Sequence, residues 1–354
     1  MRNKLSALAA PLIVSILVIG TVIFSAGGFA LPPKETDAPP DVSGTPLPSG
    51  EPSFPPLPDN LADSAVMLKV KDEDNVIEMT AAEYIIGALG GEMPAAFNAE
   101  ALSAQAVAVR TYAYYTKHVS GKHRDGGADV CTDSSCCQAY KSKDELREKW
   151  GNKFAEYSYK LQTAVSQTDG IIMEFEGKPI FAAFFSSAYL ATESCRDVWT
   201  GDLPYLVSVD TPETAEAVSN FITETIVTTD VFKEYILVNY PEAKLGNDHS
   251  DWLSDVEFSE NKRLRTLKAG GVSVSGTAIR KIFSLSSTAM EIEVTESGFL
   301  FRTYGKGHGV GMSQWGANLM AGQGKAWREI LTHYYTGIEF NVPGEPFAGN
   351  PQEA

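Results

Sequence analysis

The chain has 354 residues, 44% hydrophobic and 10% aromatic, which suffices for a substantial core and excludes a disordered protein. Its 29 Lys and Arg against 45 Asp and Glu give a formal net charge of −16. That acidity argues against nonspecific nucleic-acid binding, which needs dense positive charge to displace counterions from phosphates.

Residues 11–30, PLIVSILVIGTVIFSAGGFA, form an uncharged apolar run behind Arg2 and Lys4. About 20 such residues cross the hydrocarbon layer, and the basic flank predicts a cytoplasmic N-terminus with the remainder extracytoplasmic. A cleaved signal peptide is the competing reading, because Ser25-Ala26-Gly27 and Phe29-Ala30 offer small residues. The proline-rich stretch that follows can neither form a helix nor pair as a central strand, so it reads as an extended tether. The expected organisation is a cytoplasmic tip and membrane anchor at 1–31, a linker at 32–60, a folded domain at 61–341 and a tail at 342–354.

Ala65–Val70 and Val76–Met79 alternate as a strand pair with Lys71–Asn75 as the turn. Thr80-Ala81-Ala82-Glu83 fits a capping box opening a helix that Gly90-Gly91 are expected to stop. Asn98 is the predicted cap of a second helix, with Leu102, Ala106, Val109 and Ala113 at helical spacing. Glu92 thereby falls in a tight junction beside Met93, Pro94 and Phe97. Those neighbours would desolvate its carboxyl group and raise its pKa, so it is the candidate general acid; a simple surface charge is the alternative. Gln105 and Arg110 are the nearest groups able to orient Glu92 or bind substrate, and for Arg110 a structural ion pair is an equal alternative.

Three of the four cysteines, Cys131, Cys136 and Cys137, lie inside VCTDSSCCQAY, eight residues after His123; the fourth is Cys195. Thiolates and an imidazole in this cluster would suit tetrahedral Zn²⁺, and disulfides are the alternative for an extracytoplasmic domain. Further on, 141–167 reads as helical, 170–186 and 289–304 as strands, 227–240 as mixed, and 276–283 and 326–335 as short helices. Mixed elements without a regular βαβ rhythm predict an α+β fold, with sheets and helices arranged around a substrate cleft.

The segment Tyr304–Ala317, YGKGHGVGMSQWGA, alternates four glycines around His308 and then gives Ser313, Gln314 and Trp315. Glycines at that spacing imply unusual dihedrals or a close approach, and hydrogen-bonding groups beside a flat ring fit a polar ligand such as a sugar. His308 as a merely structural histidine is the alternative.

Glu92-Met93-Pro94, Glu100–Ala113, Cys137-Gln138-Ala139-Tyr140, Phe184-Phe185, Thr192-Glu193-Ser194, Val198-Trp199 and Gly307–Ala317 together resemble the stage II sporulation protein D family, in consistent order over roughly residues 65–341. The resemblance implies a lytic transglycosylase that cuts peptidoglycan strands between N-acetylmuramic acid and N-acetylglucosamine, preferring strands stripped of stem peptides, during engulfment in sporulation. Glu92 falls on the family's catalytic glutamate. Gln105, Arg110, Ser187, Tyr189, His308, Ser313 and Gln314 are the substrate-binding candidates. The resemblance also implies zinc on His123, Cys131 and Cys137 in a structural role, leaving Cys136 to replace Cys137, to fill a fourth position or to pair with Cys195. Its expected partners are peptidoglycan strands and the stage II sporulation proteins P and M, with the domain facing the space between mother-cell and forespore membranes.

The chain departs from the family pattern at Ser186 and Tyr189-Leu190-Ala191, where a histidine and a Ser-x-Gly-Gly run are usual. A wall-binding or amidase-enhancing module without turnover is therefore the second hypothesis. A zinc hydrolase is weaker, because no HExxH-type pair appears.

Overall fold

In the computed structural model the described residues are 60–199 and 201–342; the apolar run at 11–30, the linker and the C-terminal tail lie outside them. Among the described residues no helix is long and apolar enough to cross a membrane. The elements in chain order are α1 (Ala62–Ala65), β1 (Met67–Asp72), β2 (Asn75–Thr80), α2 (Ala81–Glu92), α3 (Ala99–Tyr115), β3 (Val130–Cys131), α4 (Lys143–Trp150) and α5 (Phe154–Gln167). After them come β4 (Ile172–Phe175), β5 (Lys178–Pro179), β6 (Phe184–Phe185), α6 (Cys195–Val198), β7 (Ile222–Thr228) and α7 (Thr229–Asn239). The last part holds β8 (Leu253–Phe258), β9 (Leu264–Ala269), β10 (Val272–Ser275), α8 (Gly276–Ile282), β11 (Met290–Thr295) and β12 (Gly298–Tyr304), then β13 (Met312–Ser313), α9 (Gln314–Gly322), α10 (Trp327–Tyr334) and β14 (Glu339–Asn341). The fold is α+β, with small sheets ordered β2-β1-β3, β14-β4-β5, β13-β6, β10-β9-β8 and β11-β12-β7.

The first core forms around α3. Residues Ala101 to Tyr114 of this helix are all buried, the pattern of a helix covered on every side. The helices α2, α5, α9 and α10 and the strand β4 surround it. Its many alanines let these neighbours approach closely. Arg110 sits in the middle of this helix with no exposed surface. Its Nε lies 2.9 Å from Oδ1 of Asp63, its Nη2 2.5 Å from Oδ2, and its Nη1 donates to the Ile171 carbonyl at 3.0 Å. The pair fastens α1 and the start of β4 to the central helix. Of the two readings of Arg110, the geometry shows the structural ion pair, with its donors engaged by Asp63 and the Ile171 carbonyl in the core.

Helix α2 starts on the expected capping box, with Thr80 and Glu83 bonding reciprocally. It does not stop at Gly90-Gly91; it runs through both glycines and ends on Glu92. The reason lies in packing. A Cβ on Gly90 would meet the Leu146 side chain at 2.8 Å, one on Gly91 the Ala139 carbonyl at 2.6 Å, and one on Gly87 would overlap Tyr140. These glycines leave a bare helix face on which residues 139–146 lie directly. Met93 then turns extended ahead of Pro94 and ends the helix. Asn98 occupies the cap position of α3, but its side chain bonds Asn318 of α9 and makes no cap bond.

A second core gathers residues 227–301: Phe232, Trp252, Phe283, Phe299 and Phe301 pack together where α7 and α8 cover the sheets of β8–β10 and of β7, β11 and β12. The mixed strand and helix signals at 227–240 resolve into β7 followed by α7, whose cap is Thr228.

Because removing one partner of a buried pair strands the other charge, Asp63→Ala should lower unfolding stability by about 3–5 kcal/mol. A joint replacement of Asp63 and Arg110 by apolar residues should cost far less. Urea midpoints of the three proteins decide this, and equal losses for single and joint replacements would refute it.

Candidate active site and metal cluster

Glu92 is the last residue of α2 and is half-buried. Its Oε1 accepts the backbone N–H of Ala139 at 2.5 Å. Burial raises its pKa above the ordinary carboxylate value, and the Ala139 N–H partly opposes the rise. The carbonyl end of a helix disfavours an anion, which acts in the same direction as burial. Among the described residues no Lys or Arg forms an ion pair with Glu92. A carboxyl group so placed can hold a proton closer to neutral pH and give it up to a nearby base.

Phe97, in the same junction, meets Trp315 edge-on with ring centroids 4.9 Å apart, and Asn98 bonds Asn318. The junction that carries Glu92 therefore abuts the start of α9, immediately after the glycine segment. The strand β13 pairs in parallel with β6, matching Met312 with Phe184 and Ser313 with Phe185. His308 half-buries between Phe185 and Trp199. Its Nε2 lies 3.0 Å from the Phe184 carbonyl, and its Nδ1 accepts the Val310 N–H at 3.2 Å. One ring nitrogen must donate and the other accept, so the imidazole is held neutral with its proton on Nε2. Burial, reinforced by the Arg280 and Arg263 charges, pushes its pKa down to about 4.

Gly309 and Gly311 explain the glycine spacing. Both have positive φ, 88° and 77°, and a Cβ would strike the Arg263 guanidinium at Gly309 and overlap the Ala183 carbonyl at Gly311. Arg263 itself is buried 3.8 Å from Oε1 of Glu193, whose N–H bonds the Gly309 carbonyl at 2.7 Å. The Thr192-Glu193-Ser194 motif and the glycine segment are thus two sides of one loop pair.

Ser313 caps α9 by accepting the Gly316 N–H and donates its hydroxyl to Glu213 Oε1, which also accepts the Ala188 N–H at 2.9 Å. Its hydroxyl is therefore occupied by the fold. Nothing periodic in the sequence marks Glu213, which lies in an irregular stretch. Gln314 is buried with Nε2 unpartnered, and Gln105 is fully buried with neither amide atom hydrogen-bonded to protein. Ser187 is buried and bridged to Lys306, while Tyr189 stacks on Tyr304 at 4.6 Å. The departure at 186–191 has a physical trace: Leu190 holds φ at 64°, the left-handed region that glycine adopts freely, and exposes its side chain.

His123, Cys131, Cys136 and Cys137 offer four donor atoms within 4.8 Å of one another, and all four cysteines of the chain are free thiols. The His123 Nε2 lies 3.1 Å from the Cys137 sulfur and 3.6 Å from that of Cys136. Metal–sulfur bonds of about 2.3 Å in a tetrahedron separate ligands by roughly 3.7 Å, so the set fits one metal ion with modest closing. Cys136 joins the cluster as a fourth ligand candidate beside the three expected from sequence. Cys195 is elsewhere, buried with its sulfur 3.7 Å from the Gly201 carbonyl.

The chain is thus an α+β protein that combines a desolvated glutamate at a helix end, a His/Cys₃ cluster and a glycine-rich loop. The stage II sporulation protein family matches residues 69–175. The chain is 34% identical over 259 residues to stage II sporulation protein D of Bacillus amyloliquefaciens, covering 73% of each protein. It is 33% identical over 262 residues to stage II sporulation protein D of Bacillus subtilis (strain 168), covering 73% and 74%. A more distant similarity, 27% over 301 residues, reaches the amidase enhancer of the same organism, of which it covers 39%. The chain belongs to the stage II sporulation protein D family.

The His308 assignment has a pH signature. A histidine with a folded pKa near 4 and an unfolded value of about 6.5 adds stability that is complete above the unfolded value and is lost as pH falls toward 4. Urea midpoints between pH 7 and pH 4.5 should fall less steeply for His308→Gln than for the native protein. Parallel slopes would show that the imidazole titrates freely.

Proposed function

We propose that this protein is a membrane-anchored lytic transglycosylase that cleaves peptidoglycan strands, preferentially denuded ones, at the N-acetylmuramic acid–N-acetylglucosamine bond during sporulation. The observation that carries the reading is Glu92: desolvated, at a helix carbonyl end, held by one backbone N–H and, among the described residues, by no ion pair. Protonated Glu92 would donate to the glycosidic oxygen as the bond to the muramic acid C1 breaks and positive charge develops there. The resulting carboxylate would then take the proton of that sugar's 6-hydroxyl, whose oxygen closes onto C1. The proton returns to Glu92, no water enters, and the product ends in a 1,6-anhydro ring. One carboxyl group suffices, which agrees with a junction where Glu92 is the acidic residue at the helix end.

His123, Cys131, Cys136 and Cys137 would hold Zn²⁺ in a structural role. Four protein ligands leave no open position for an activated water. Cys137 lies two residues before Ala139, so the clamp would fix the segment whose N–H orients Glu92. The apolar run at 11–30 would anchor the domain outside the cytoplasm, and proteins P and M of the same sporulation stage are the proposed partners.

A second reading, a glycan-binding module that enhances an amidase without turnover, draws on the similarity to the amidase enhancer and on the bulky Tyr189-Leu190.

Mass spectrometry of denuded strands incubated with the protein should reveal 1,6-anhydro ends, and Glu92→Gln should reduce them by at least about 100-fold. The rate should fall as pH rises through the elevated Glu92 pKa, because only the protonated form is the acid. Reducing ends formed with water would reject the transglycosylase chemistry, and binding without product would favour the second reading. For the metal, elemental analysis should find about one zinc per chain. Chelation should lower the melting temperature together with activity, whereas loss of activity at unchanged melting temperature would indicate a catalytic metal.

A further inference from the structure

The second core ends in two edge strands. β8 closes one side of the β10-β9-β8 sheet and β11 one side of the β11-β12-β7 sheet. The two sheets meet where the Leu264 N–H bonds the Thr288 carbonyl at 2.7 Å and Arg263 bridges Ala289. An open groove of about 550 Å³ is lined from both edges, by Phe258 of β8 and by Met290 and Glu291 of β11, with Lys262, Tyr304 and Tyr189 completing it. That size falls within the range of small-molecule sites. A bulge between Ser254 and Glu257, with Asp255 at φ 47°, distorts β8, and Phe258 remains 41% exposed.

We propose that this groove is a sugar-binding subsite for the glycan strand, additional to the Glu92 junction, with the stacked Tyr189 and Tyr304 rings as its plate. The inference rests on the reading of the protein as glycan-acting. The two rings lie 4.6 Å apart and only 22° from parallel, so each covers one face of the other and the stack offers the groove an outer ring face with a hydroxyl at its edge. Pyranose rings present an apolar C–H face and a polar rim, so they match a flat plate flanked by a cation and an anion, here Lys262 and Glu291. The acetamido methyl groups of such a strand suit Met290 and Phe258.

Continuity of the chain ties this groove to the candidate active site. Tyr304 leads directly into the glycine segment, and Lys306 exchanges both backbone hydrogen bonds with Ser187, at 3.0 and 2.9 Å. The Ser186 carbonyl accepts the Trp315 N–H at 3.0 Å, and Trp315 packs on Phe97 of the Glu92 junction. A strand in the groove would therefore run along the same loop pair that borders that junction. Tyr189, the departure from the glycine pattern, is what completes the plate.

Calorimetric titration of the full-length Glu92→Gln protein with denuded strands of four and of ten sugars tests this. Tyr304→Ala should weaken binding of the longer strand by about tenfold, and leave the shorter within about twofold. Lys262→Ala, at an exposed position, should act in the same direction and guards against a folding defect in the tyrosine variant. Unchanged affinity for the long strand in both variants overturns the subsite. So does tight binding of a stem peptide that Tyr304→Ala abolishes, since that would make the groove a peptide site. The readout is binding, so it separates from turnover. Length-dependent loss in a native protein that forms no 1,6-anhydro ends keeps the subsite and removes the transglycosylase reading, whereas cleavage with no length dependence does the reverse. No binding of either strand removes both.

Discussion

The bare face of α2 is the constraint on which the rest of the site depends. Three positions, Gly87, Gly90 and Gly91, allow the backbone of 139–141 and the Leu146 side chain to lie against helix backbone at distances no side chain would permit. Overpacking at such contacts costs about 1–3 kcal/mol, and here the displaced element would be the one that holds Glu92. The Ala139 N–H reaches the Glu92 carboxylate because Ala139 sits on Gly91. The same segment begins at Cys136 and Cys137, within the His/Cys₃ cluster. Cluster, strap and carboxyl group lie together across one helix face that glycines leave without side chains.

How much of this is legible in the sequence depends on the kind of signal each part leaves. Local signals survive folding: the capping box at Thr80, the strand pair expected within 65–79, the clustered thiols and the glycine segment all reappear where residue chemistry places them. Glycine is the ambiguous letter. At 90 and 91 it reads as a stop, because exposed backbone entropy normally ends a helix, yet the structure uses it for close approach inside one. Arg110 is ambiguous for another reason: its partner Asp63 is 47 residues away, and no pattern along the chain links them. Glu213 and Ala139 are harder still. One acts through a carboxylate in irregular chain and the other through a backbone N–H that any residue but proline would supply. Asn98 shows the reverse failure, a correct position with the wrong partner, since Asn318 competes for its amide and wins.

The glycine segment binds the two cores to each other through backbone. On one side Gly311 fits beneath the Ala183 carbonyl of the first core; on the other Gly309 lies under Arg263, at the entrance to β9 of the second. Arg263 keeps its charge buried with Glu193 nearby and with the Ser287 and Thr288 hydroxyls as acceptors. A buried ion pair of this kind adds little net stability, because the desolvation of both charges offsets their attraction. Leu190, held at φ 64°, gives the neighbouring loop a left-handed turn at a bulky residue.

The double role proposed for Glu92, first giving a proton and then taking one, would need a pKa between the extremes of burial and full hydration. Burial and the helix carbonyl end favour the neutral form of Glu92; the Ala139 N–H favours the anion. A nearby lysine or arginine would lock the anion and remove the acid, while a wholly apolar pocket would lock the acid and remove the base. One backbone donor is a weaker and more constant influence than either, because it carries no net charge and cannot dissociate. The requirement then shifts to keeping that donor in place, and a strap that starts at the His/Cys₃ cluster and is seated on glycine backbone is suited to it.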